Sequence, residues 1–248
     1  MVTSLLLRGM LVGLVAGVLA FGLARIFGEP QVDRAIAFET RMDQAKGEAP
    51  EPELVSRHTQ AGIGLFTGIV VYGTAMGGLF SLVFAFAYGR AGDFSPRATA
   101  ALLALAGFIV IVVVPALKYP ANPPSVGDPA TIGRRTALYF IMIATSLAAC
   151  MLAAGLARRW RERLGAWNAT LLAIGVFIVV IAVVQYLLPD INEVPDRFSA
   201  VVLWRFRLAS LGIQAVLWTV LGLGFGVAAE KSLGWDAARR RAGGLAYR

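Results

Sequence analysis

Lys118-Tyr119-Pro120-Ala121-Asn122-Pro123-Pro124-Ser125-Val126-Gly127-Asp128-Pro129 is the stretch from which the fold can be read. Its four prolines exclude both a helix and an inner strand. Proline has no amide donor, and it biases the residue before it toward extended backbone. The stretch continues to Arg134-Arg135 and lies between two uncharged runs, 98–117 and 136–157. About 20 apolar residues cross a bilayer core. A stiff polar cap between two such runs reads as a helical hairpin with a shaped link at a membrane surface.

Working outward, the pattern recurs. Uncharged runs also cover 9–24, 59–89, 164–189 and 208–228. The expected fold is an all-α integral membrane protein of about six transmembrane helices. The spans are expected at about 5–27, 61–88, 98–117, 136–157, 167–189 and 206–228. Residues 1–232 then form one transmembrane domain, and 233–248 a basic cytoplasmic tail. Composition agrees: 58% of residues are hydrophobic and 15% charged, and mean hydropathy is +0.70. A soluble domain carries about 25% charge. The first run resembles a secretory signal, but it shares the glycine spacing of later runs and is read as a span.

The net charge of +8 does not point to nucleic acid, because the basic residues sit in short links where membrane topology puts them. Lys and Arg divide almost evenly between the two faces. Compact clusters decide the orientation: Arg158-Arg159-Trp160-Arg161-Glu162-Arg163 and Arg239-Arg240-Arg241 place both termini in the cytoplasm. Segments 28–58, 118–135 and 189–207 then face outward. Segment 40–54, rich in Glu, Ala, Pro and Lys, reads as an exposed excursion.

The outward segments suggest an internal repeat. Thr99-Ala100-Ala101-Leu102-Leu103-Ala104-Leu105-Ala106-Gly107-Phe108-Ile109-Val110 aligns with Asn168-Ala169-Thr170-Leu171-Leu172-Ala173-Ile174-Gly175-Val176-Phe177-Ile178-Val179. At this offset Pro120 meets Pro189, and the next helices open with Arg134/Arg135 and Arg205/Arg207. The first hairpin fits more loosely, so three tandem hairpins of like orientation are expected. Glycines four apart mark close helix packing: Gly9/Gly13/Gly17, Gly64/Gly68, Gly73/Gly77 and Gly222/Gly226.

Soluble-enzyme signatures are absent, and no enzyme activity is expected. The chain has no phosphate-binding glycine loop, its one cysteine (Cys150) precludes Cys-x-x-Cys, and its one histidine (His58) precludes HExxH. No acidic residue lies near the middle of a span, where ion-coupled transporters keep one. Gln185, Gln214, Thr145 and Ser146 are the deeper polar groups. Met10, Met76, Met142, Met151 and Cys150 read as core filling. Trp160, Trp167, Trp204 and Trp218 read mostly as interfacial anchors.

The remaining chemistry lies on the outward face. Glu29, Asp33, Asn122, Asp128, Asp190, Asn192 and Glu193 bring carboxylate and amide oxygens, which suit hard or borderline divalent cations. Lys118, Arg134, Arg135, Arg205 and Arg207 oppose them. Two readings stay open: a cation-gathering mouth, or loops packed through ion pairs. In a cation path the arginines would fix loop geometry. In the alternative, a transporter or membrane scaffold for an anionic or organic solute, they would bind the substrate.

Five stretches together resemble the CbtA family of bacterial cobalt transporter subunits. They are Gly28-Glu29-Pro30-Gln31-Val32-Asp33-Arg34-Ala35-Ile36, Lys118–Pro124, Trp167-Asn168-Ala169-Thr170, Asn192-Glu193-Val194-Pro195 and Trp204-Arg205-Phe206-Arg207-Leu208-Ala209-Ser210. The resemblance covers about residues 1–232. It implies a subunit of a cobalt uptake system in the bacterial inner membrane, linked to cobalamin supply. It also implies a partner, the small single-span CbtB, which carries a histidine-rich motif. No resident cofactor is expected; Co²⁺ would be the substrate. The family is described with five spans, whereas six are read here.

Overall fold

The computed structural model describes residues 2–47, 54–90, 92–124 and 126–245, with side chains as far as residue 234. Every regular element among them is helical. We label them α1 (Val2–Lys46), α2 (Arg57–Ala87), α3 (Pro96–Lys118), α4 (Ile132–Leu187, behind the 3-10 turn Pro129–Thr131) and α5 (Ala200–Leu245). These five helices are long and apolar enough to cross a membrane.

α4 holds two of the expected spans. Gly165 breaks it with φ 76° and ψ 162°, a backbone region open only to glycine. The limbs 132–164 and 166–187 fold back on each other there. Met142 and Ala149 of the first limb share one buried cluster with Ile181 of the second and Val114 of α3. Arg135, near the start, reaches Glu193 beyond the end. In a straight helix residues 135 and 187 would lie about 78 Å apart. Five helices thus supply six apolar limbs, close to the expected count.

The helices run past several expected ends. α1 continues through Gly28-Glu29-Pro30, where a cap was expected to begin, and stops at Gly47 in the left-handed region (φ 74°). A proline ring clashes with the carbonyl four residues back. The wider π-turn at Ala24–Gly28 precedes Pro30, and another at Phe108–Val113 precedes Pro115. Each relaxes the helix where the ring enters. Arg158–Arg163 continue the first limb of α4 as helix rather than forming a link. α5 carries the expected tail as helix to Leu245. Of the expected 40–54 excursion, 40–46 is helical and 48–53 lies outside the described residues. The side chains of Arg239–Arg241 lie outside them too.

Apolar burial gives little drive between helices in lipid, so close packing must hold them. The α1/α2 seam shows how. A Cβ on Gly9 would stand 2.4 Å from the Gly77 carbonyl oxygen, one on Gly13 2.2 Å from that of Gly73, and one on Gly77 2.1 Å from that of Gly9. Gly222 and Gly226 admit Ala104 and the backbone of Arg97 from α3. The Gly64/Gly68 pair forms no such seam: Gly68 faces open space, and Gly64 meets only its own helix at Thr59.

α1, α2, α3 and α5 share the main core, with Leu5, Phe84, Ala104, Leu221 and Phe225 inside it. Trp218 belongs to this core, packed on Gly107, and is not an interfacial anchor. α4 stands to one side, joined through the end of α3. Much of its surface is apolar and exposed, including Phe140, Leu152, Ile178 and Tyr186.

The two ends of the bundle differ. At one, Ser4 and Ser232 hydroxyls lie 3.3 Å apart, Arg8 donates to the Ala228 carbonyl (3.3 Å), and Arg97 pairs with Glu230 (2.6 Å). At the other, Ala35, Val126 and Phe198 meet in a buried cluster. The caps of all three sequence hairpins therefore converge on one face.

Candidate functional site

The cap face is built from two loops, 119–128 and 188–199, over the end of α3 and the starts of α4 and α5. Asp128 caps the 3-10 turn by accepting the Ala130 N–H at 2.8 Å. Gly127 beside it has φ 118°, and a Cβ there would stand 2.6 Å from Arg135 Nη1. Glycine is needed at this position on both counts.

Arg135 Nη2 donates to the Asp128 carbonyl at 3.2 Å. Its Nε lies 3.2 Å from Glu193 Oε2, an ion pair whose Nε–H is not aligned for a hydrogen bond. The same Oε2 accepts the Asp128 N–H at 3.1 Å. The Thr131 hydroxyl first, helped by the Asp128 amide and Arg135, holds the Glu193 carboxyl below the ordinary range, against the opposing effect of burial and, least, of the Asp128 charge.

Arg207 reaches the opposite way. Its Nη2 donates to Asn122 Oδ1 at 2.8 Å and its Nε to the Ala121 carbonyl at 3.3 Å. Lys118 pairs with Asp190, and the Tyr119 hydroxyl donates to the Pro189 carbonyl at 2.9 Å. Each loop is thus held by the arginine that follows the other.

Beneath this lacing lies a cavity of about 700 Å³. Asn122, Arg135, Asn192, Glu193, Arg207 and Gln214 give it polar walls, and Tyr139, Trp204 and Leu211 apolar ones. Gln214 Oε1 is buried with no hydrogen-bond partner among the described residues.

Of the seven expected oxygen ligands, Asn122, Asn192 and Glu193 line this cavity. Asp128 adjoins it through Glu193. Asp190 is 92% exposed and tied to Lys118. Glu29 and Asp33 lie outside the lining and pair with Arg57, Asp33 at 3.0 Å. Among the described residues, no three His, Cys, Asp or Glu come together to hold a metal ion. Of the expected loop-pairing residues, Lys118, Arg135 and Arg207 engage cap oxygens. Arg134 and Arg205 are exposed and form no ion pair among the described residues.

The sequence reading did not assign Tyr139, Trp204 or Gln214 to the site. A signal exists for two of them. Tyr139 lies four residues after Arg135, and Gln214 seven after Arg207, which puts each on its arginine's helix face. Of the deep polar groups, Gln185 donates to the Val114 carbonyl at 3.0 Å, and Ser146 Oγ is buried without a partner among the described residues. Met142 is fully buried, whereas Met151 is exposed. His58 is exposed and Cys150 half-buried.

A family model described as probable cobalt transporter subunit (CbtA) matches residues 2–230. No curated protein and no solved structure matches the chain.

Proposed function

Because the chain belongs to the CbtA family of probable cobalt transporter subunits, we propose that it is the permease-like subunit of a cobalt uptake system. It is a multi-pass membrane protein of a transport family, not of an enzyme class. In this reading cobalt enters at the cap face and passes down between α3, α4 and α5. The observation that carries the reading is the cavity under the interlaced caps, whose polar walls continue inward to Gln214.

Metal capture is assigned to a small histidine-bearing, single-span partner. His58 is the chain's one histidine and is exposed, and the cap carboxylates Glu29, Asp33, Asp190 and Glu193 each have a cationic partner. Asn122 Oδ1 is likewise taken by Arg207, and the remaining cap oxygens, those of Asp128 and Asn192, would guide the ion rather than select it. The location is the bacterial inner membrane, with the basic ends of the helices, and both termini, in the cytoplasm.

Reconstitution in vesicles tests this. Cobalt uptake should require this chain and rise severalfold when the partner is added. Equal uptake without the partner would remove the capture step. No uptake with both present would remove the permease role.

A further inference from the structure

A bare dication is poorly matched to the cap cavity. Arg135, Arg207 and Glu193 are the charged groups in its wall, giving a net charge of +1. Glu193 is already engaged by Arg135 (3.2 Å) and the Asp128 N–H (3.1 Å). To shed its water a divalent cation needs several oxygen or nitrogen ligands from its host. Among the described residues no cluster of three acidic, histidine or cysteine side chains supplies them.

The cavity also has room for more than a hydrated ion. Six waters at about 30 Å³ each fill about 180 Å³, against about 700 Å³ here. Its walls suit an organic oxyanion instead. Of five guanidinium N–H donors, Arg207 commits only Nε and one Nη2 N–H to Ala121 and Asn122. The arginine fork matches a carboxylate in charge and shape. Two turns deeper, Gln214 Oε1 is a buried acceptor with no donor among the described residues. A ligand hydroxyl would satisfy it.

We propose that this cavity takes its metal as an anionic chelate, a small hydroxy-polycarboxylate complex. Arg207 and Arg135 grip carboxylate oxygens of the organic ligand that are not bound to the metal, Gln214 accepts from its hydroxyl, and the ligand's remaining oxygens together with retained waters complete the metal's coordination sphere. A complex of one Co²⁺ with one tricarboxylate trianion carries −1, which balances the wall. The inference rests on the cobalt-transport reading and adds the chemical form of the cargo.

The test titrates purified full-length protein in detergent with Co²⁺–citrate, citrate alone and CoCl₂ in a non-chelating buffer, using calorimetry. Co²⁺–citrate should bind at least about tenfold more tightly than either control. Arg207→Gln should weaken it about tenfold, as losing one charged hydrogen bond predicts. Ser210→Phe, which puts a ring into the cavity wall one helical turn from Arg207, should abolish binding while leaving thermal stability close to wild type. The inference is overturned if CoCl₂ or citrate alone binds as tightly as the complex, or if both variants bind the complex like wild type.

Radiocobalt uptake by cells producing this chain and its partner separates the two ideas. Uptake unaffected by Arg207→Gln and Ser210→Phe overturns the chelate inference and leaves cobalt transport standing. Chelate binding without any cobalt uptake supports the cavity assignment and overturns the transport reading beneath it.

Discussion

Arg135 Nε lies 3.2 Å from Glu193 Oε2, so the start of α4 is tied to the loop beyond its own end. The pair closes the α4 hairpin at its open side, opposite Gly165. It also places one positive and one negative group in the wall of the cap cavity.

The surroundings of Glu193, the Thr131 hydroxyl first and then the Asp128 amide and Arg135, make stability depend on pH in a defined direction. Glu193 has a lowered pKa in the folded protein, so its contribution is complete above the ordinary carboxylate range and fades as pH falls through the depressed value. Glu193→Gln should lower the melting temperature at pH 7. The gap from wild type should shrink steadily below about pH 4. A gap that stays constant down to pH 2 would show that the carboxylate charge is not what holds the loop.

The glycine seam gives the largest expected packing effect. Gly77→Val places a side chain 2.1 Å from the Gly9 carbonyl oxygen and must separate α1 from α2. A loss of about 3 kcal/mol is expected in reversible unfolding from detergent. Gly68→Ala on the same helix meets nothing within 4 Å, and should be neutral or stabilising by up to about 1 kcal/mol. Equal effects of the two would contradict the seam.

Gly165 should tolerate no side chain. At φ 76° and ψ 162° an L-residue is strained by about 1–3 kcal/mol. Gly165→Ala should lower thermal stability by that amount. Gly155→Ala, in regular helix with open space around its Cα, should not. The comparison separates a required turn from a glycine that happens to lie in a helix.

In the first cap, Arg57 bridges two acids of unequal exposure. The Glu29 side chain is 7% exposed and that of Asp33 is 60%. Removing the buried partner leaves Arg57 poorly satisfied. Glu29→Gln should cost about 1–3 kcal/mol and Asp33→Asn under about 1 kcal/mol. Thermal unfolding of the two variants side by side checks the order.

The apolar runs and the seam were legible because they depend on local rules. Run length fixes a span, and glycines four apart fix a close-packed stripe, as Gly9/Gly13/Gly17 and Gly73/Gly77 show. Proline was less reliable as a stop. Pro30 looks like the edge of a cap, yet a widened turn at Ala24–Gly28 lets α1 pass through it. Gly165 sits among helix formers, and nothing in its neighbours distinguishes it from Gly155 or Gly175.

The site was legible in its parts but not in its pairing. The polar cap residues stood out, and Arg135 and Arg207 were matched as repeat equivalents. That each would hold the other hairpin's loop depends on how the hairpins pack, which a linear pattern does not encode. The same is true of Trp218, whose place in the core depends on Gly107 of α3 accepting its ring.

Convergence of the caps is the point on which the cavity, its cargo and the transport route all depend. Cys150 is the chain's one cysteine, so Cys150→Ala gives a clean background. Paired cysteines at Ala35 and Phe198, and at Val126 and Phe198, should crosslink in native membranes with a short bifunctional thiol reagent. Failure of both pairs to crosslink, or labelling of positions 35, 126 and 198 from opposite sides of the bilayer, would contradict a shared entrance.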